Sequence, residues 1–324
     1  MTTMRDVARV AGVSAKTVSR VFNDDPHVTQ ETRDRVRWAM ERLNYVPNML
    51  ARSFRAGADT AVGVAFPDIA DPFFAAMTSS IEEELVRRDM AMVVTSLGYD
   101  PDRERGALEM LLRRQISGLI VASISRDQSY LTAWHQRTPM VFVDRKPRGM
   151  PTVSTVSVVE DDLRGAREAV THLARHGHQR IALAGVSTYV STTHRRIEGY
   201  HDGIQKNALA DEPGLVCLGS DSATDVASEF VKLLSLPKPP TAVFSVSIPC
   251  TMALVHALQQ AGRTDIALVG FGDFPMADAL SPAVSVVDQD PAQLGRVAVD
   301  RLSQLIQNPG AKVRRKTILP VRLI

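Results

Sequence analysis

The chain of 324 residues contains only two cysteines, Cys217 and Cys250, and this scarcity excludes two classes of protein. Two thiols cannot build the disulfide framework of a small secreted domain, and they are too few ligands for a zinc site of the finger type. The sequence also lacks an uncharged apolar run of membrane-spanning length, and its first residues contain no apolar core of a signal peptide. We therefore expect a protein of the reducing cytoplasm.

Motifs of common enzyme sites are absent as well. The sequence contains no G-x-S-x-G, no G-x-x-x-x-G-K-[ST] and no H-E-x-x-H. Gly270 and Gly272 end a predicted strand but lack the third glycine of a dinucleotide-binding fingerprint. His172 and His176 are one helical turn apart, as metal ligands often are, yet no third ligand is evident and a helix C-terminus favours histidine. We expect no catalytic residue, no cofactor and no metal ion.

What the sequence does contain is apolar residues for two or three domains, and an uneven distribution of charge. Hydrophobic residues make up 44% of the chain, and the formal net charge is only +2. Residues 1–58 hold ten basic and six acidic side chains, so this segment carries +4 and the remainder carries −2. A basic segment attached to a mildly acidic body is expected when one end binds a polyanion, although a solvated helical face is the alternative.

The first 22 residues predict two short helices joined by a glycine turn. Thr3 and Asp6 favour the start of the first helix, Gly12 ends it, and Ser14 caps the second. The apolar positions of the second helix are Val18, Val21 and Phe22. This pattern is typical of a helix-turn-helix, in which the start of the second helix enters the DNA major groove.

Polar residues on the other faces of the second helix are candidates for DNA contacts. Lys16 and Arg20 can donate hydrogen bonds to guanine edges, whereas Thr17 and Ser19 are better suited to phosphates. A third helix from about Thr29 is expected to close a three-helix core, with its apolar stripe at Val36, Ala39, Met40 and Leu43.

The segment "VPNMLARSFRAGAD" predicts a fourth short helix, which Asn48 caps and Gly57 ends. A helix of two turns is poorly populated alone in water, so we expect it to form only against a partner helix or DNA. It is therefore a natural switch element.

Four stretches in this region, "DVARVAGVSAKTVSRVFN", "HVTQETRDRV", "LNYVPN" and "ARS", resemble the DNA-binding head and hinge of the lactose-repressor (LacI/GalR) family of bacterial transcription regulators. The resemblance implies a head at 1–46 and a hinge helix at 47–58. It also implies that two hinge helices pair in the minor groove, where Phe54 stands in place of the family's leucine wedge. Packing of Phe54 against the body is the alternative. The candidate DNA-binding residues are Ala15, Lys16, Thr17, Ser19, Arg20, Asn23, His27, Asn48, Arg52 and Phe54.

Residues 59–324 alternate between short apolar runs and amphipathic stretches. About ten apolar runs, from "AVGVAF" to "VSVVD", predict parallel strands, and seven amphipathic stretches predict the helices that cover them. Ten strands exceed what one open sheet usually holds, so we expect two doubly wound α/β lobes with a ligand cleft between them. The family resemblance, shared with periplasmic sugar-binding proteins, implies crossings between the lobes near residues 160, 288 and 319. The N-terminal lobe would then comprise 59–159 plus 289–318, and the C-terminal lobe 160–288 plus 319–324.

Candidate effector-binding residues follow the predicted strands. Phe73 and Phe74 open a helix capped by Asp71, and either ring can form an apolar floor for a ligand or pack into the core. The resemblance favours Phe74 for the floor. Asp144 follows the strand "MVFVD" and offers hydrogen-bond acceptors. By resemblance Arg196 is a ligand-binding arginine, with surface solvation as its alternative.

Two family anchors differ in this chain. Ser247-Ile248 replaces an Asn-Asp pair, and Gly272 replaces an aspartate, with Asp273 next in sequence. Ser247 and Asp273 complete the candidate effector site. A pentose, nucleoside, cyclic polyol, or phosphorylated or acidic sugar remains open as the effector, as does loss of small-molecule control.

These patterns predict a sequence-specific DNA-binding regulator, expected to be a repressor that binds a pseudo-palindromic operator. The resemblance implies a small carbohydrate-like effector, and a homodimer because the C-terminus lacks the family's tetramerising leucine heptad. We expect it in the cytoplasm, associated with the nucleoid. The rival hypotheses are a sugar-binding protein without a DNA role and a sugar-processing enzyme.

Overall fold

The computed structural model describes residues 3–22, 25–43, 45, 61–152, 154–186, 190–218, 222–308, 310 and 312–324. Contacts divide the chain into two units, Met1–Asp59 and Thr60–Ile324, which we call the head and the body. Among the described residues no helix is long and apolar enough to cross a membrane.

The described part of the head contains three helices, as the sequence predicts. They are α1 (Met4–Ala11), α2 (Ala15–Phe22) and α3 (Gln30–Arg42). Thr3 and Asp6 form a capping box at the start of α1, and Thr29 caps α3 by accepting a hydrogen bond from the backbone of Thr32. The buried core consists of Val7, Ala8, Ala11, Val18, Val21, Val36 and Ala39. The predicted hinge helix lies outside the described residues.

The body contains two six-stranded sheets, which confirms the prediction of two doubly wound α/β lobes. The first sheet has the order β11-β5-β4-β3-β1-β2 and is parallel throughout. Its strands are β1 (Ala61–Phe66), β2 (Ala91–Ser96), β3 (Gly118–Val121), β4 (Met140–Val143), β5 (Val156–Glu160) and β11 (Lys316–Leu319). Its helices are α4 (Pro72–Val86), α5 (Pro101–Leu112), the short α6 (Thr132–His135) and α11 (Pro291–Gln307).

The second sheet has the order β12-β10-β9-β8-β6-β7, and only the pairing of β12 with β10 is antiparallel among the described strands. Its strands are β6 (Ile181–Ala184), β7 (Val216–Cys217), β8 (Ala242–Ser245), β9 (Ala267–Phe271), β10 (Ser285–Asp288) and β12 (Arg322–Leu323). Its helices are α7 (Asp162–Arg175), α8 (Ser191–Lys206), α9 (Ala223–Leu233) and α10 (Ile248–Gln260). The chain passes between the sheets after β5, after β10 and after β11.

Alternate residues of each strand enter separate cores on the two faces of its sheet, as the two-residue period of a strand requires. In β1, Val64 enters one core and Ala65 another; in β8, Phe244 and Val243 do the same. One core also includes Ile248 and Phe274 of the second lobe. The two lobes therefore meet through apolar contact as well as through the crossing segments.

The strand order within both lobes creates a switch point that positions a ligand cleft. In the first lobe the chain leaves β1 towards one edge of the sheet and leaves β3 towards the opposite edge. In the second lobe β6 and β8 do the same. Crevices outside the carboxyl ends of strands at such points are the usual ligand sites of doubly wound folds. The candidate residues Phe74, Arg196 and Ser247 follow β1, β6 and β8 respectively.

Candidate functional site

Helix α2 presents polar side chains to solvent along the face opposite its core. Val18 and Val21 are buried, while Ala15, Lys16 and Arg20 are exposed. This division follows helical spacing, because apolar residues three positions apart lie on one face. The exposed residues stand at the start of the helix and one turn later, where a helix lying in a major groove would meet base edges.

The remaining candidates in the head are less uniformly exposed. Thr17 and Ser19 are half-buried, and the Thr17 backbone N–H donates a 3.0 Å hydrogen bond to the Ser14 hydroxyl that caps α2. His27 is exposed. Arg20 Nε lies 3.6 Å from an Asp25 carboxylate oxygen, so DNA would compete with this ion pair. Asn23, Asn48, Arg52 and Phe54 lie outside the described residues.

Two arginines that the charge count assigned to the basic head have an internal role that the sequence did not reveal. Arg35 donates from Nη2 to the carbonyl oxygens of Ala11 at 2.7 Å and Gly12 at 3.3 Å, where the left-handed Gly12 ends α1. Arg33 donates from Nε to the Val28 carbonyl at 3.3 Å. These bonds satisfy carbonyls at the end of α1 and in the α2–α3 loop. Arg35 nevertheless stays exposed and Arg33 half-buried, so both charges still belong to the surface of the head.

In the first lobe, Phe73 and Phe74 are both buried at the start of α4. The ring of Phe74 stacks on Phe66 with centroids 5.0 Å apart, and Phe73 meets Phe74 edge-on at 5.1 Å. Phe73 and Asp273, one from each lobe, line a single cavity of about 710 Å³, which we call the apolar cavity. Phe274, Met276 and Gln289 contribute to the same cavity.

Asp144 directly follows β4, in a left-handed conformation with φ of 61°, and is only 4% exposed. One of its carboxylate oxygens lies 2.8 Å from Arg145 Nε. Asp144 lines a second cavity of about 410 Å³, the polar cavity, together with Lys146, Glu160, Asp162 and Lys316. The sequence reading missed these four partners, because their roles depend on how the strand ends and crossings come together.

Arg196 of α8 is buried, and its guanidinium group donates hydrogen bonds to two other segments of the body. Its Nε donates to Asp162 Oδ1 at 2.8 Å and its Nη1 donates to the Val246 carbonyl at 2.8 Å. The guanidinium also lies over the Phe271 ring, with Cζ 3.8 Å from the centroid. Burial raises the pKa of Asp162 to about 6, although Arg196 acts in the opposite direction. Arg196 is therefore not a solvated surface residue, which was the alternative to a ligand-binding role.

Gly272 and Ile248, which both depart from the family pattern, lie next to each other in the structure. Gly272 has φ of 98°, and a Cβ there would lie 2.6 Å from Ile248 Cγ1. A larger residue at 272 therefore requires the Ile248 side chain to shift, and the positive φ adds backbone strain. Ser247 precedes α10 without a side-chain cap bond, and Asp273 is exposed. The sequence alone could not connect positions 24 residues apart.

The histidine pair offers no metal site in this structure. The His172 and His176 rings are 4.4 Å apart, and His176 Nδ1 lies 2.9 Å from the His172 carbonyl oxygen. Burial, and then His176, lower the pKa of His172. Within the described residues no group of three or more His, Cys, Asp or Glu side chains could hold a metal ion.

Comparison with known proteins identifies the family. Residues 59–324 match the pattern described as periplasmic binding proteins and sugar binding domain of LacI family, and residues 3–48 match bacterial regulatory proteins, lacI family. The chain belongs to the LacI family of bacterial transcriptional regulators. It is therefore a DNA-binding regulator with an effector domain, and not an enzyme. The family is one of cytoplasmic DNA-binding proteins.

Individual relatives agree with this assignment. A lac repressor dimer bound to operator and the anti-inducer ONPF is 30% identical with a TM-score of 0.84, and the match covers 100% of this chain and 97% of that one. The repressor PurR of Aliivibrio salmonicida is 27% identical over 95% of this chain and 93% of its own length. The ribose operon repressor of Haemophilus influenzae is 28% identical over 99% and 96%.

Proposed function

We propose that this LacI-family regulator is a repressor that binds a pseudo-palindromic operator as a homodimer. The observation that carries the proposal is the exposed face of α2, where Ala15, Lys16 and Arg20 stand free of the core. Each head would read one half-site, with Lys16 and Arg20 at base edges and Thr17 and Ser19 at phosphates. The lac repressor relative is a dimer bound to operator, and the PurR and ribose relatives are named repressors.

Dimerisation also strengthens the electrostatic attraction between the protein and DNA. A net charge of +4 on residues 1–58 is modest for a DNA-binding segment, and Arg33 and Arg35 are partly engaged by backbone carbonyls. Two heads double this charge and let one molecule contact two half-sites one helical turn or more apart. The protein would act on the nucleoid.

The hinge assignments extend the same proposal. Residues 47–58 would form paired helices at the operator's centre, with Asn48 and Arg52 at the backbone and Phe54 as an unstacking wedge. The head would comprise 1–46 and the body 59–324, with lobes 59–159 plus 289–318 and 160–288 plus 319–324. A break in contacts between Asp59 and Thr60 supports the end of the hinge.

We place the effector in the cleft between the lobes, where it would shift their relative closure and thereby the hinge pairing. Phe73 and Phe74 would supply the apolar floor and Asp144 an acceptor for hydroxyl groups. Two hydrogen bonds already engage Arg196, which leaves up to three of its five N–H donors for a ligand. Ser247 and Asp273 would line the opposite wall. Phe73 and Asp273 line the apolar cavity and Asp144 lines the polar cavity, so a sugar, polyol or nucleoside that contacts all of them would have to span both cavities.

Selection of operators from random double-stranded DNA by the purified full-length protein tests the first part. We expect enriched sequences with two inverted half-sites, and a footprint that is lost in the Lys16→Ala variant. The matched control is Lys238→Ala, which removes one exposed positive charge from the body. Enrichment of unrelated sequences, or equal footprints for both variants, would contradict the proposal.

A thermal-shift screen of sugars, polyols and nucleosides tests the second part, because a ligand that binds the native state raises its apparent stability. Any ligand found should lose affinity in Asp144→Asn, which preserves the shape of the side chain but removes its charge. A ligand that binds Asp144→Asn as well as the wild type would place the site elsewhere.

A further inference from the structure

The polar cavity contains three buried carboxylates drawn from both lobes and from the segment that joins them. Asp144 directly follows β4, Glu160 is the last residue of β5 before the chain crosses, and Asp162 begins α7 of the second lobe. Their exposed fractions are 4%, 4% and 6%. All three line the same cavity of about 410 Å³.

Among the residues that the structure describes, a cation lies at contact distance from two of these carboxylates. Asp144 has Arg145 at 2.8 Å, and Asp162 has Arg196 at 2.8 Å. Glu160 accepts a single long hydrogen bond of 3.4 Å, from the Gln289 amide to Oε1. Its Oε2 is buried and accepts no hydrogen bond from any residue that the structure describes. A buried acceptor of this kind is costly unless a ligand or a proton satisfies it.

With Arg145 beside Asp144 and Arg196 beside Asp162, Glu160 is the acid of the three that no described cation contacts. Burial, followed by the negative charges of Asp144 and Asp162, raises the pKa of Glu160 well above its ordinary value. Arg196 lowers this pKa, but by less. Glu160 therefore holds a proton more readily than an ordinary carboxylate does. An ammonium group of a ligand would supply the same charge together with several hydrogen-bond donors.

Basic side chains also line the same cavity, alongside Asp161 and Glu198, the latter paired with Arg195 at 2.7 Å. Lys146 and Lys316 line it from the first lobe, and His194 and Arg195 line it from α8 of the second. Burial lowers the pKa of Lys146, and the neighbouring Lys316 ammonium lowers it further. Helix α8 also begins there without a side-chain cap on its N-terminus. An anion between the two lysines would relieve their repulsion.

We propose that the polar cavity binds a small zwitterion, with an ammonium group at Asp144, Glu160 and Asp162 and a phosphate or carboxylate at Lys146 and Lys316. Among carbohydrates, this chemistry is that of an amino sugar phosphate. The inference rests on the proposed function, since it names the chemical class of the effector. Such a ligand would touch both lobes and so stabilise the lobe arrangement seen here.

Isothermal titration of the full-length protein with four probes separates the two charged ends. Glucosamine 6-phosphate carries both groups, glucosamine carries the amine, glucose 6-phosphate carries the phosphate, and glucose carries neither. A charge-assisted hydrogen bond is worth about 1.5–3 kcal/mol, which corresponds to roughly ten- to hundredfold in affinity. We expect glucosamine 6-phosphate to bind at least about tenfold more tightly than either singly charged probe.

Variants assign each end to its residues. Glu160→Gln should remove the preference for glucosamine 6-phosphate over glucose 6-phosphate, and Lys316→Met should remove its preference over glucosamine. Lys312→Met, an exposed change nearby in sequence and outside the residues lining the cavity, is the matched control and should change neither ratio. Thermal melts of each variant verify that it is folded.

The inference is overturned if glucosamine 6-phosphate fails to bind, if it binds no better than glucose 6-phosphate, or if Glu160→Gln leaves the preference intact. Operator binding by the same preparations is measured in parallel without any probe. Intact operator binding with no zwitterion binding rejects this inference alone. Zwitterion binding without operator binding rejects the proposed function instead.

Discussion

The Nε of Arg196 donates a 2.8 Å hydrogen bond to the carboxylate of Asp162, and both side chains are more than nine-tenths buried. The two residues are 34 positions apart, on α8 and on the first turn of α7. An arginine expected from family resemblance to reach a ligand is thus bound first to its own protein. Replacing it with alanine would leave a buried carboxylate unpaired, so loss of effector response in that variant would not identify a ligand contact.

We expect Asp162→Ala to destabilise the body by about 3–5 kcal/mol, the usual cost of removing one partner from a buried ion pair. Urea unfolding followed by far-UV circular dichroism measures it. The control is Glu168→Ala, which breaks the exposed Arg164–Glu168 pair on the same helix and should change little. Similar effects of the two changes would show that the Asp162 pair does not stabilise the lobe.

The stability of the protein should fall as the pH rises above about 5, in part because of Glu160. Its folded-state pKa lies above the unfolded value of about 4.5, so the folded protein binds more protons and loses this advantage as the pH increases. Glu160→Gln removes the ionisation. This variant should therefore be more stable than the wild type at pH 8, and the difference should shrink towards pH 5.

Glu82→Gln, on the exposed face of α4, is the control for the pH experiment, and its stability should track the wild type throughout. A constant difference between Glu160→Gln and the wild type from pH 5 to pH 8 would contradict the account of Glu160. Asp162, whose pKa burial raises to about 6, contributes a similar loss between about pH 4 and pH 6 in the wild type.

Gly272→Ala should destabilise the body by about 1–3 kcal/mol, because it adds a Cβ at positive φ and against Ile248. Ile248→Ala opens that space at the cost of lost burial. Because the added Cβ at position 272 clashes with Ile248, the double variant Gly272→Ala/Ile248→Ala should be more stable than the sum of the two single effects predicts, by at least about 0.5 kcal/mol. Strict additivity in chemical denaturation would show that the two positions are independent.

The strands and helices were the most predictable part of this protein. All ten apolar runs contain strands and all seven amphipathic stretches contain helices, because burial on both faces of a parallel sheet imposes a strong pattern. The short strands β11 and β12 and the small helix α6 escaped prediction. β12 and α6 are brief, and β11 alternates exposed and buried residues instead of forming an apolar run.

The candidate site was less predictable because its chemistry depends on long-range contacts. Asp144 and Arg196 were found from their positions after strands and from resemblance, but their partners were not. Nothing near Glu160 in sequence indicates that Gln289, 129 positions away, donates to it. Likewise, Arg33 and Arg35 enter the net charge of residues 1–58, but nothing near them in sequence indicates the backbone carbonyls to which they donate.

Gly12→Ala should destabilise the head by about 1–2 kcal/mol and weaken DNA binding, since Gly12 is left-handed and a Cβ would lie 2.8 Å from Arg35 Nη2.

Gly106→Ala on α5 is the opposite case, with no atom within 4 Å of the added Cβ, and should stabilise the body by about 0.5–1 kcal/mol. Separate melting of head and body by calorimetry checks both. Equal effects of the two changes would contradict the role given to Gly12.

The most direct test of DNA recognition by this regulator is the salt dependence of binding to the selected operator and to unrelated DNA. For the wild type, the logarithm of the binding constant should fall linearly with the logarithm of salt concentration, with a slope of about −0.9 per neutralised phosphate. Arg20→Ala should weaken operator binding by about 1–3 kcal/mol and binding to unrelated DNA much less. A binding constant insensitive to salt, or equal losses on both DNAs, would contradict recognition through the exposed face of α2.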